Sequence, residues 1–191
     1  MKTNLVLFGK PGAGKGTQAA FLKDTYHLKH ISTGDVFRYN ISENTPLGQL
    51  AKSFMDQGDL VPDEVTIQML EAEVNEHPGV AGFIFDGFPR TTAQAEALDD
   101  FLNRKGMAIS GTIALEADED VLTARLLERG KESGRPDDQD ETKIRNRFQE
   151  YNVKTAPLEA YYREQDKFYV VDGIGEISDI TQRISEVIDL L

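Results

Sequence analysis

Short apolar runs alternate along this chain with longer stretches in which apolar residues recur every three or four positions. The runs 4–8, 30–32, 82–85, 111–115 and 168–171 are nearly continuous in apolar character. So little alternation predicts strands covered on both faces, as in a parallel sheet. A helical spacing follows each run, over 14–26, 34–43, 91–104, 119–129 and 176–190. The last is the clearest, with Ile177, Ile180, Ile184, Val187, Ile188 and Leu191 on one stripe. Strand–helix alternation of this kind predicts an α/β fold: a doubly wound, five-stranded parallel sheet with helices on both faces.

Two stretches break the rhythm. Residues 34–76 hold about three helical patterns in a row, interrupted at Pro46 and near Pro62, and read as a helical insertion. Residues 130–138 are punctuated by Gly130, Gly134 and Pro136 and read as a loop between helices. In open α/β sheets ligands bind at the carboxyl ends of the strands, so insertions there are candidate mobile covers.

Composition narrows the picture. With 191 residues, 39% hydrophobic and 28% charged, the chain has the proportions of one globular domain. It contains no cysteine, which removes disulfides and thiolate zinc sites. A net charge of −12 argues against sequence-independent binding to nucleic acid or to an anionic membrane surface. The run Leu5–Phe8, stopped by Gly9, is too short for a secretory signal, and no run approaches a membrane span. A cytoplasmic location is therefore expected.

Candidate chemistry begins where the first strand ends. Gly9-Lys10-Pro11-Gly12-Ala13-Gly14-Lys15-Gly16-Thr17 lies between a strand and a helix, the setting of a phosphate-binding loop. Glycines let successive N–H groups converge on phosphate oxygens, and the helix N-terminus adds partial positive charge. Lys15 is placed to reach the terminal phosphates. The usual hydroxyl after the lysine is missing, because Gly16 stands there and Thr17 follows. Asp86, at the end of the third strand, is the candidate to hold Mg²⁺ through its water shell.

These motifs, with Ser32-Thr33-Gly34-Asp35 and Arg38, Asp86-Gly87-Phe88-Pro89-Arg90-Thr91 and Gln94, Arg125 with Arg129, Gly134–Asp138, and Thr155–Leu158, occur in order along almost the whole chain. Together they resemble the nucleoside monophosphate kinases, most closely the adenylate kinase branch in its short-lid form. The resemblance implies a P-loop NTPase-type fold with 32–61 as the monophosphate-binding insertion and 128–138 as a short lid. It further implies transfer from Mg-ATP to AMP giving two ADP, in a monomer without zinc. On the donor side it implicates Gly12, Ala13, Gly14, Lys15, Gly16, Thr17, Arg125, Arg129 and Gly175. On the acceptor side it implicates Thr33, Arg38, Asp59, Leu60, Val61, Gly87, Phe88, Pro89, Arg90, Gln94, Arg135 and Arg147. Lys15, Arg90, Arg129, Arg135 and Arg147 would carry the chemistry.

The residues are consistent with that chemistry. A monophosphate acceptor is already anionic near neutral pH, so no general base is required. His27, His30 and His77 fall outside the motifs and read as solvated or capping residues. Arg125 and Arg129, four apart, share a helix face, where an anion would relieve their mutual repulsion. Arg145 and Arg147, two apart, point to different faces, so only one can enter a site; the motif match selects Arg147. Asp137 and Asp138 read equally as helix-start acidity or as hydrogen-bonding groups of a closed lid. Gln94 offers a donor and an acceptor to an adenine edge. The same reaction on UMP or CMP, or a non-catalytic nucleotide switch, are the alternatives.

Overall fold

The computed structural model describes residues 2–191. Strands β1 (Thr3–Phe8), β2 (Lys29–Ser32), β3 (Gly82–Asp86), β4 (Gly111–Glu116) and β5 (Phe168–Asp172) form one sheet in the order β2-β3-β1-β4-β5. Every pairing is parallel. Because successive side chains on a strand point to opposite faces, β1 divides its apolar residues between two cores. Leu5 and Leu7 pack with Ile84, Ile113 and Leu115 on one face, and Val6 and Phe8 with Phe83, Phe85 and Ala114 on the other. The near-continuous apolar runs in the sequence have this cause.

Helices complete both layers. On the first face lie α1 (Lys15–Tyr26), α6 (Glu119–Ser133), α7 (Glu141–Glu150) and α9 (Ile177–Ile188), supplying Leu22, Leu126, Phe148 and Ile184. On the second lie α4 (Asp63–Asn75), α5 (Thr92–Arg104) and α8 (Leu158–Arg163), supplying Leu70, Leu98 and Tyr162. Each fully buried Leu or Phe contributes about 1.5–3 kcal/mol. α1 and α5 thus leave neighbouring strands β1 and β3 toward opposite faces, which opens a crevice at the carboxyl ends of those strands.

The expected run of helices is present as α2 (Thr33–Ser42), α3 (Pro46–Met55) and α4. Ser32 caps α2 by accepting from Asp35 N, and Thr45 caps α3 from Gly48 N with Pro46 at the first helical position. Phe37, Ala51, Val61 and Met69 form a third, smaller core. α4 is shared, since Leu70 and Val74 pack into the second main core.

The 130–138 stretch differs from its reading as a loop. α6 continues to Ser133 and is closed by Gly134 at φ 66°. Gly130 does not break the helix. It lies where the chain crosses closely, and a Cβ there would stand 2.6 Å from Asp138 O. A 3₁₀ turn follows at Pro136–Asp138, and α7 starts after Asp140, whose side chain accepts from Thr142 N at 2.7 Å. α7 then runs through a π-helical turn, Tyr151–Thr155, toward α8. Among the described residues, no helix is long and apolar enough to cross a membrane.

Candidate active site

The crevice widens into a cleft of about 840 Å³ at the carboxyl ends of β1 and β3. Its floor is the loop between β1 and α1, where Gly9, Gly12 and Gly14 have φ of 138°, 84° and 94°. These conformations favour glycine, and a Cβ on Gly9 would also lie 2.6 Å from Leu115 O. Gly14 caps α1 with no side-chain hydrogen bond, and the first turn holds no acidic residue. Its free N–H groups are therefore left to an anion. Gly12, Ala13, Gly14, Lys15, Gly16 and Thr17 all line the cleft.

Lys15 Nζ donates to Gly9 O at 2.7 Å and to Lys10 O at 3.1 Å. Burial, together with the charges of Arg90, Arg147 and Arg129, lowers its pKa to about 8 against the opposing pull of Asp86. Asp86 ends β3 opposite Leu7 of β1 and Ser32 of β2. Burial alone would raise its pKa, but His30, Lys15 and Arg90 outweigh burial and hold the carboxyl below its ordinary range. A single ionised carboxylate, with the Thr17 hydroxyl lining the same cleft, suits a cation that keeps most of its water.

His30 corrects its reading as a solvated or capping residue. It lies on β2, lines the cleft, and brings Nε2 to 3.4 Å from Asp86 Oδ2. That contact is too long for a hydrogen bond, and the nitrogen has no hydrogen-bond partner among the described residues. Its position arises because β2 and β3 pair in register, a long-range fact. The other two histidines keep the expected role. His27 closes α1 in a left-handed conformation, and His77 Nδ1 lies 2.9 Å from Glu73 O.

The arginines enter from five places along the chain. Arg90 follows β3; its Nε donates to Gly87 O at 2.7 Å, and Thr155 Oγ1 donates to its carbonyl at 2.9 Å. Burial, then the neighbouring Arg147, lowers its pKa to about 10, so it stays charged at neutral pH. Arg38 on α2 and Arg135 before the 3₁₀ turn share Asp35 Oδ1, at 2.5 and 3.4 Å. Burial disfavours the Asp35 carboxylate, yet Arg38, Ser32 and Arg135 keep its pKa low.

Arg129 on α6 forks onto Asp138 at 2.7 and 3.0 Å. Arg147 on α7 reaches Asp138 at 2.6 Å and Asp137 at 2.9 Å. Asp138 is fully buried; burial opposes its charge, and the two arginines prevail to keep its pKa low. The two aspartates thus hold the arginines of the lid region, and the α7 N-terminus belongs to Asp140. Arg145 points away, 74% exposed and paired with Glu141, so it is Arg147 that lines the cleft. Arg125 donates to Gly173 O at 3.1 Å beside Gly175, at the far end.

A smaller cavity of about 50 Å³ opens between α2, α3, α4 and the β3–α5 turn. Thr33, Asp59, Leu60, Val61, Gly87, Arg90 and Gln94, all implicated on the acceptor side by the resemblance, line it together. Thr33 Oγ1 donates to Gly87 O at 3.0 Å. Phe88 differs from the expectation: its side chain is 1% exposed within the second core and lines neither cavity. Pro89 lines the main cleft instead. Gln94 is more committed than expected, because its amide already bonds Arg90 N and Asp63, each at 2.7 Å. Phe37, Thr66 and Asp63 were missed; an acidic residue in a helix's first turn is too common to single out.

Comparison with known proteins accords with this geometry. The family model described as adenylate kinase matches residues 7–167. The adenylate kinase of Flavobacterium psychrophilum is 66% identical over 188 residues, covering 98% of this chain and 99% of that protein. That of Flavobacterium johnsoniae is 64% identical with the same coverage. That of Bacteroides fragilis is 45% identical, again over 98% of this chain and 99% of its own. A phosphate loop, a ring of arginines and a match along most of the chain lead to one conclusion: the chain belongs to the adenylate kinase family, enzymes that move a phosphoryl group between ATP and AMP.

Proposed function

We propose that the cleft transfers the terminal phosphoryl group of ATP to AMP, reversibly and in one in-line step, giving two ADP. A phosphate oxygen of AMP forms the new bond to phosphorus. The bond to the bridging oxygen of ATP breaks, and its electron pair stays on the departing ADP. No proton moves, because the attacking phosphate oxygen is already anionic near neutral pH. The observation that carries this reading is the approach of Lys15, Arg90, Arg129 and Arg147 in one cleft, close enough that the three arginines lower the Lys15 pKa. On a chain of net charge −12, such clustering answers to a concentrated anion.

In this reading Gly12–Thr17 cradle the donor phosphates, while Arg125 and the backbone at Gly175 meet the donor base. Arg38 holds the phosphate of AMP, and Arg90, Arg129, Arg135 and Arg147 neutralise charge on the migrating group. Thr33, Asp59, Leu60, Val61 and Gln94 surround the acceptor base, with Gly87, Phe88 and Pro89 shaping the wall through the chain after β3. Asp86 would hold Mg²⁺ through water, and the ion supplies further neutralisation of phosphate charge when bound. Residues 32–61 and 128–138 act as covers that exclude water, without which hydrolysis would compete. The enzyme works as a cytoplasmic monomer, independent of zinc, nucleic acid and membrane. The absence of cysteine and the acidic charge support that part.

Arg90→Ala tests the assignment. The account predicts a fall in kcat of about 10³-fold or more, with KM for ATP changed by no more than about threefold, because the guanidinium acts on the migrating group. Unchanged kcat with weakened ATP binding would remove Arg90 from that role.

A further inference from the structure

The Gln94 amide sits in a closed ring of hydrogen bonds beside the small cavity. It is 1% exposed. Oε1 accepts from Arg90 N at 2.7 Å, and Nε2 donates to Asp63 Oδ1 at 2.7 Å. Asp63 Oδ2 accepts from Thr91 Oγ1 at 2.8 Å, and Thr91 Oγ1 accepts from Gln94 N at 3.2 Å. Asp63 and Gln94 come from different helices, α4 and α5.

Chemistry fixes which end of this amide is which. A carboxylate only accepts and a backbone N–H only donates. Rotating the amide by 180° would set its oxygen against Asp63 and its NH₂ against the Arg90 N–H. Both hydrogen bonds would become repulsions between buried groups.

We propose that Asp63 is a specificity-determining residue that locks the Gln94 amide in one orientation and so selects a 6-amino purine monophosphate over its 6-oxo counterpart. The inference rests on the reading that Gln94 meets the acceptor base. With two hydrogen bonds committed, the amide keeps one N–H and one oxygen lone pair in a fixed order. In adenine, N1 accepts and the 6-amino group donates. In hypoxanthine the pattern is reversed, with N1–H donating and O6 accepting. A freely rotating amide could serve either base, and a locked one serves only adenine. Asp63 acts through Gln94 as a positioning residue and does not touch the substrate.

Asp63→Asn is the isosteric test, because an amide at 63 can face Gln94 with either end. The readout is the ratio of kcat/KM for AMP to that for inosine monophosphate, with ATP as donor and folding checked by circular dichroism. The account predicts a fall in that ratio of at least about tenfold, the scale of one mispaired hydrogen bond. Thr91→Val, which removes one of the two anchors of Asp63, should lower the ratio in the same direction by less. It carries the test if the substitution at 63 impairs folding. A loss of packing alone would slow both acceptors equally and leave the ratio unmoved, and that result in a folded variant overturns the proposal. Gln94→Ala separates the two layers. If it shifts the ratio while Asp63→Asn does not, the lock is wrong and base reading stands; if it leaves the ratio unchanged, both fall.

Discussion

Lys15 is the residue whose state depends most on the ligand. In the cleft it is crowded by burial and by Arg90, Arg147 and Arg129, and its pKa is about 8. A triphosphate reverses the balance by adding negative charge beside the ammonium, which raises that pKa. Binding of Mg-ATP at pH 8 should therefore take up about half a proton, and at pH 6.5 almost none, since Lys15 is then already charged. Arg90, with a pKa of about 10, and Asp86, held below the ordinary carboxylate range, do not titrate in that interval. Calorimetry at pH 8 in two buffers of different ionisation enthalpy reads the number directly, and identical heats in both would contradict it. Lys15 was legible in the sequence because strand, glycines and helix start are contiguous. His30 and Asp63 were not, and Asp138 was legible only as one of two readings, because their partners come from other elements. The Gln94–Asp63 bond joins residues 31 positions apart, and nothing local marks it.

At the scale of elements, the path from α7 through the π-helical turn to α8 links the two sides of the cleft. Arg147 on α7 grips the lid-region aspartates, and Thr155 at the end of the turn donates to the Arg90 carbonyl at 2.9 Å. A π turn inserts an extra residue into a helix and rotates the chain beyond it, which gives Thr155 its direction. Thr155→Val would leave that part-buried carbonyl without its donor. The expected result is a three- to tenfold lower kcat, about the scale of one hydrogen bond, with KM for ATP little changed and with recovery in Thr155→Ser. Activity equal to the parent in the valine variant would show that Arg90 needs no such support. The sequence reading placed a helix after the 130–138 stretch, carrying Arg145 and Arg147, but could not show the π turn, which has no compositional signature. Gly130 misled for a related reason: its role is a close crossing with Asp138, not a break in α6.

Over the whole molecule, the parallel sheet and its both-face packing were legible because β1 and its neighbours divide nearly continuous apolar runs between two cores, whereas the strand order β2-β3-β1-β4-β5 was not. The charge distribution was legible only in part. The sequence shows six arginines in motifs on a chain of net charge −12. It does not show that Asp35, Asp137 and Asp138 occupy four of them in the cleft. Those carboxylates offset part of the positive charge that the arginines crowd into the cleft.

The central claim is that AMP, and not water, accepts the phosphoryl group in this cleft. Phosphorus NMR of the enzyme with ADP and Mg²⁺ alone tests it most directly. The account predicts ATP and AMP appearing in equal amounts, with no inorganic phosphate. Inorganic phosphate in proportion to the ADP consumed would mean that water is the acceptor, and it would contradict the account.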